Sequence, residues 1–158
     1  MNPTNRPAAT PKWLPVAAIL GLAWNVFGFA QWLSKVQGTV GSMMETGLTL
    51  EQAQLYASLP LWMDAAFALG VLGGALGCVL LLLRLPQARA VFALSLAAYL
   101  VLYAGDIALG VFAVFGAPQV AILTIVVAIA AGLQWLSFRY LSPAPALRNP
   151  LSRSQAVL

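Results

Sequence analysis

Two aspartates stand inside otherwise apolar stretches of this chain, and any chemistry it performs has to start from them. Asp106 follows Tyr103 by three residues, and Tyr103 follows Tyr99 by four, so all three side chains share one face if the segment is helical. Asp64 lies in a second apolar stretch, and Asn25 and Gln31 lie in a third. An ionised aspartate at the centre of a bilayer costs about 2.5 to 3.5 kcal/mol on insertion scales, which makes an intramembrane acid a functional candidate by default. Carboxyl, phenol and carboxamide groups drawn into one pocket can hold a small polar solute or pass a proton. Asp106, Tyr103, Tyr99, Asn25, Gln31 and Asp64 are the candidate ligand-binding residues. Structural readings stand beside this one. Asp64 in a first helical turn is favoured by the helix dipole, and the amides and phenols can serve simply to bond one helix to another.

Other chemistries lack their residues. The chain contains no histidine, which removes His-based general bases, His metal ligands and axial haem ligation by His. Cys78 is the single cysteine; it can form neither an intramolecular disulfide nor a Cys-rich metal site. Ser95 and Ser137 have no visible base partner, and no glycine loop follows a strand to cradle phosphate. Neither an enzymatic activity nor a cofactor or metal is expected.

The elements that must position these residues follow from composition. Hydrophobic residues make up 61% of the 158 residues and charged residues only 8%, against about 25% charged in a soluble domain. Four stretches reach the roughly 20 apolar residues needed to cross about 30 Å of hydrocarbon: residues 13–33, 60–83, 90–114 and 118–141. In lipid each must satisfy its own backbone hydrogen bonds and is therefore helical. The expected fold is all-α, a membrane bundle of four transmembrane helices spanning residues 13–141, with a disordered tail at 1–12 and a Pro-rich flexible tail at 142–158. The sequence Gly28-Phe29-Ala30 before Gln31 resembles a signal cleavage site. The apolar run continues past it through Leu33, so the first span is expected to stay in the protein.

Charge placement sets the orientation. Arg6 and Lys12 precede the first span, Arg84 and Arg89 lie between the second and third, and Arg139, Arg148 and Arg153 end the chain. Cationic residues are retained on the cytoplasmic side, so both termini are expected there. The net charge of +4 is accounted for by this rule and by anionic headgroups, and gives no reason to expect nucleic acid. Under this topology Asp64 and Asp106 fall at comparable levels in the outer half.

The loop between the first two spans divides at Gly47. Its second half opens with Thr49 and Gln52, a capping-box pair, and is expected to form a short helix on the outer membrane surface, passive or acting as a lid. Its first half carries mixed signals. Pro60 suits the first turn of the second span, with Ser58 as its cap. That span carries Gly70, Gly73, Gly74 and Gly77 in two overlapping small-xxx-small pairs, which let another helix approach closely. The internal use is expected first; the same stripe can serve a homodimer or a subunit of a larger membrane complex.

The run LPLWMDAAFALGVLGGALGCVLLLLR in the second span, followed by VFALSL, and WNVFGFAQW in the first, resemble a family of small bacterial four-helix membrane proteins. The matching residues are Trp24, Asn25, Gly28, Pro60, Trp62, Gly70, Gly73, Gly74 and Gly77, and the likeness covers roughly the first three spans. It implies a bacterial inner-membrane location and a four-helix fold. Members are often labelled sugar transporters, yet no motif among these residues carries a sugar site. Asp64 and Asp106 lie outside the pattern. Two functions follow from the sequence: binding or transport of a small polar solute at the acid cluster, or an accessory or scaffold role within a membrane complex.

Overall fold

The computed structural model describes residues 11–141. Both expected tails, apart from Pro11 and Lys12, lie outside the described residues. Seven helices follow one another: α1 (Trp13–Gln37), α2 (Val40–Glu45), α3 (Leu50–Ser58), α4 (Leu61–Leu82), α5 (Ala88–Ala108), α6 (Val111–Phe115) and α7 (Ala117–Tyr140). α1, α4, α5 and α7 are long and apolar enough to cross a membrane. Their outer surfaces are apolar as well, with Leu20 66% and Ile107 62% exposed, an arrangement that suits hydrocarbon as the surrounding solvent. The chain is a multi-pass integral membrane protein with four candidate spans.

Several boundaries differ from the sequence reading, each for a local reason. The third span was expected to run to Val114, but α5 ends at Ala108 and Gly110 adopts a left-handed φ of 73°. Glycine takes this conformation without a Cβ penalty, so the chain turns there and re-enters a single helical segment, α6. Apolar continuity hid the break. α1 continues to Gln37, four residues beyond the expected end. Ser58 is not the cap of α4: its hydroxyl donates to the Leu55 carbonyl at 2.8 Å and closes α3, while Pro60 itself is the N-cap residue.

The loop between α1 and α4 is built from two capped helices. Thr39 and Ser42 bond each other's backbone at the start of α2, and Thr49 and Gln52 do so at the start of α3. The second box is the one legible in the sequence; the first uses serine where glutamate or glutamine is usual. Gly47, at φ 101°, turns the chain between them.

α4 is the centre of the bundle. It packs closely on α1 and on α5, α5 also packs on α7, and α7 makes little contact with α1 or α4. Its glycines create these approaches. A Cβ at Gly70 would lie 2.6 Å from Tyr99 Cε1, one at Gly73 would lie 3.2 Å from Ser95 Cβ, and one at Gly77 would lie 2.6 Å from Phe92. Gly74 faces the other way, where a Cβ would run into the Asn25 carboxamide. The stripe therefore serves α1 and α5 within the chain, and backbone approach of this kind is what holds helices together where water exclusion cannot.

Two apolar clusters mark the two ends of the bundle. Leu14, Ala18, Cys78, Leu81, Ala88, Phe92, Leu133 and Leu141 close the end that holds the start of α1 and the end of α7. Arg89 seals it: the guanidinium donates to the carbonyls of Ser137 at 3.2 Å, Phe138 at 2.9 Å and Leu141. These carbonyls stand at the C-terminal end of α7 and its cap, where the helix dipole favours a cation. At the opposite end Met63, Val71, Tyr99, Leu102 and Leu123 form a looser cluster.

Candidate functional site

In that looser half the four spans do not close on one another. A cavity of about 670 Å³ lies between α1 and α7, with α4 and α5 behind it and α2 and α3 above it. Trp24, Phe27, Gly28 and Gln31 face it from α1, Met63, Asp64, Phe67 and Val71 from α4, and Tyr99, Leu102 and Asp106 from α5. Gln119, Ile122, Leu123 and Val126 complete the wall on α7, and Met43, Thr46, Leu48 and Tyr56 line it from the roof. The size is that of a site for a small organic molecule. The lining is mostly apolar, with its charged groups gathered at the roofed end.

Two polar assemblies stand at that end. Lys35 donates to Asp64 Oδ1, and Trp32 Nε1 donates to the Asp64 carbonyl at 3.0 Å, tying the end of α1 to the first turn of α4. The Lys35 ammonium also lies 5.5 Å from the centre of the Tyr56 ring, within reach of a cation–π attraction. The second assembly runs across the cavity. The Tyr56 hydroxyl donates to Gln119 Oε1 at 3.4 Å, and Gln119 Nε2 donates to Asp106 Oδ2 at 3.1 Å. Tyr56 further stacks on Phe115 at 4.3 Å between ring centres, so the roof helix α3 is fastened to α6 and α7.

Burial raises the Tyr56 phenol from its ordinary value near 10 to about 12, helped by the negative charge of Asp106 and opposed by the bond to Gln119. The hydroxyl thus remains a donor throughout the physiological range. α3 is held over the cavity by named bonds, which makes it a cover rather than an element resting apart on the surface.

The charges do not balance. Lys35 and Asp64 cancel as an ion pair, but Asp106, only 4% exposed, has the neutral Gln119 amide as its hydrogen-bond partner. Its other oxygen, Oδ1, accepts no hydrogen bond among the described residues, and it is not a buried orphan either, so it stands open to the cavity that Asp106 lines. The cavity wall therefore carries one net negative charge when Asp106 is a carboxylate. A buried charge of this kind needs a partner of opposite sign or a proton.

Four of the six candidate residues line this cavity: Asp106, Asp64, Gln31 and Tyr99. Asn25 does not. It is buried deeper, donating to the Gly21 carbonyl at 2.8 Å and accepting from the Tyr99 hydroxyl at 3.3 Å, beside a void of about 10 Å³ with room for one water at most. Tyr103 is separated too. Its hydroxyl meets Thr124 at 3.4 Å and its ring meets Phe112 edge-on, because the helical turn between Tyr99 and Tyr103 carries the side chain around toward α7. Gln134 and Trp135 belong to the opposite half of α7; Gln134 is buried and its Oε1 has no partner among the described residues.

Sequence reasoning missed Lys35, Tyr56 and Gln119 as members of the site. Gln119 had a usable signal, a lone amide in the first turn of the fourth span at the level of Asp106. Lys35 is a lone cation just past the apolar run of the first span with no spacing that ties it to an acid, and Tyr56 lies in a helix whose docking no sequence pattern gives. No family model, curated protein or solved structure matches the chain.

Proposed function

We propose that the protein binds a small organic molecule carrying one positive charge in the cavity between α1 and α7, as a receptor or carrier in the membrane rather than as an enzyme. The observation that carries this reading is the charge imbalance of the cavity: a compensated Lys35–Asp64 pair beside Asp106, whose Oδ1 is free to accept. A ligand cation supplies the opposite charge that an intramembrane carboxylate needs. The apolar lining excludes water and strengthens that attraction. The use of Gly70, Gly73, Gly74 and Gly77 inside the bundle leaves a scaffold role without the glycine stripe as its docking surface.

The placement of Arg and Lys at one end of the spans supports a topology with both termini cytoplasmic and the cavity in the outer half. The resemblance in the first three spans supports a bacterial inner membrane. Binding is tested with tetraphenylphosphonium on the full chain in micelles of a non-ionic detergent, followed by quenching of the Trp24 side of the cavity. Saturable binding that weakens by about tenfold or more in Asp106→Asn is expected. Equal binding by the variant sinks the charge argument.

A further inference from the structure

We infer that the ligand is an amphiphile of the bilayer, a single cationic head on an apolar tail, which reaches the cavity sideways between α1 and α7. This rests on the reading just given and names its substrate class. The first ground is the shape of the enclosure. α4 and α5 form a continuous back wall through the Gly70–Tyr99 and Gly105–Trp62 approaches. α2 and α3 cover the top, held by Tyr56 to Gln119 and Phe115. The floor is closed where Leu133 of α7 packs at Gly21 of α1 and Trp13 meets Tyr140 edge-on. The side between the outer halves of α1 and α7 is what remains. There Phe27 and Ile122 line the cavity while being 58% and 57% exposed, so they border both the cavity and the surrounding lipid.

The second ground is the division of the lining. Lys35, Asp64, Asp106 and Gln119 all lie toward the roof, at the level where headgroups sit, and Trp24, Phe27, Phe67, Val71, Leu123 and Val126 lie below them. A freely water-soluble cation would leave this apolar lower part unmatched. An amphiphile fills it with its tail while its head reaches Asp106, and it needs no path through the roof. Matching each part of a ligand to a lining of the same polarity is how such cavities select.

The experiment uses the full chain in nanodiscs of phosphatidylcholine, with empty nanodiscs as reference and affinity expressed per mole fraction in the bilayer. The probes are dodecyltrimethylammonium, tetramethylammonium and dodecyl sulfate. Dodecyltrimethylammonium is expected to bind saturably, and Asp106→Asn to weaken it by about tenfold or more, with helical content by circular dichroism confirming that the variant is folded. Tetramethylammonium and dodecyl sulfate are expected to fail. Ile122→Trp, at an exposed position on the rim, is expected to slow both association and dissociation by about threefold or more.

Tetramethylammonium binding as tightly as the long-chain cation overturns the amphiphile while leaving the cation site standing. Dodecyl sulfate binding equally well overturns the selection of a cationic head. Failure of every cation, tetraphenylphosphonium included, overturns the cation site itself. Unchanged exchange rates in Ile122→Trp overturn the sideways path.

Discussion

Gly70 lies hard against the Tyr99 ring, and Gly70→Ala is a direct test of how α4 and α5 are held together. A Cβ there would lie 2.6 Å from Tyr99 Cε1 and 2.9 Å from both Cδ1 and Cζ, far inside van der Waals contact. The ring is tethered in place. It is 3% exposed and its hydroxyl is engaged with Asn25. The backbone is pinned at the same place, because the Ser95 hydroxyl donates to the Gly70 carbonyl at 2.6 Å. Relief therefore requires α4 and α5 to part. Overpacking of this kind costs about 1 to 3 kcal/mol, and loosening the Ser95 bond adds about 0.5 to 1.5 kcal/mol. A helix-propensity gain of roughly 0.5 to 1 kcal/mol for replacing glycine offsets part of it.

The expected net loss for Gly70→Ala is on the order of 2 kcal/mol. It is measured by reversible unfolding in mixed micelles of a mild detergent and dodecyl sulfate, followed by circular dichroism. Gly132→Ala is the reference, since a Cβ at Gly132 meets nothing within 4 Å; it is expected to be neutral or mildly stabilising. Tyr99→Leu combined with Gly70→Ala should recover part of the loss as a coupling energy. A Gly70→Ala protein as stable as Gly132→Ala would falsify the claim that this approach holds α4 to α5.

Arg89→Ala should lower stability by about 2 kcal/mol in the same assay, because charge-assisted bonds to three carbonyls at the C-terminal end of α7 and its cap are lost; Arg89→Lys should recover only part, lacking the forked geometry. Tyr56→Phe should cost less than about 1 kcal/mol, since the 3.4 Å bond to Gln119 goes while the stacking on Phe115 remains; a larger loss means that the roof hangs on that hydroxyl. The raised Tyr56 value also fixes a pH window. Folding favours the neutral phenol, so its contribution is complete below about pH 10 and is lost as pH rises through about 12. Ultraviolet titration at the tyrosinate band should show an ionisation near 12 that disappears in Tyr56→Phe.

Much of the fold could be read from the chain because a bilayer leaves few choices. Apolar length and the need to satisfy backbone bonds give four helices, and the Thr49–Gln52 pair gives the start of α3. What could not be read depended on direction around a helix axis. Asn25 and Gln31 share α1, yet one packs against Gly74 and the other faces the cavity; nothing in an almost uniformly apolar helix says which face turns inward. Tyr103 was placed with Tyr99 and Asp106 by spacing that allows a common face without requiring a common destination. The end of α5 was hidden for a related reason: Gly110 breaks the helix by its φ, while the residues on either side stay apolar.

The cavity follows from an imbalance in how tightly the helices can approach. α4 spends its small residues on two neighbours, with Gly74 turned to α1 and Gly70, Gly73 and Gly77 to α5. Both are drawn close, and neither face is left for α7. α7 is consequently held by α5 along its length and by Arg89 and the Leu133 and Leu141 contacts at one end. At the other end bulkier side chains such as Phe67 and Met63 stand where α4 carries no glycine, so a fourth helix cannot close the ring. The gap that results coincides with the level of Asp64 and Asp106, and the two short helices of the α1–α4 loop lie over it. The cavity arises there because the residues that bind the bundle together are concentrated in three of its helices.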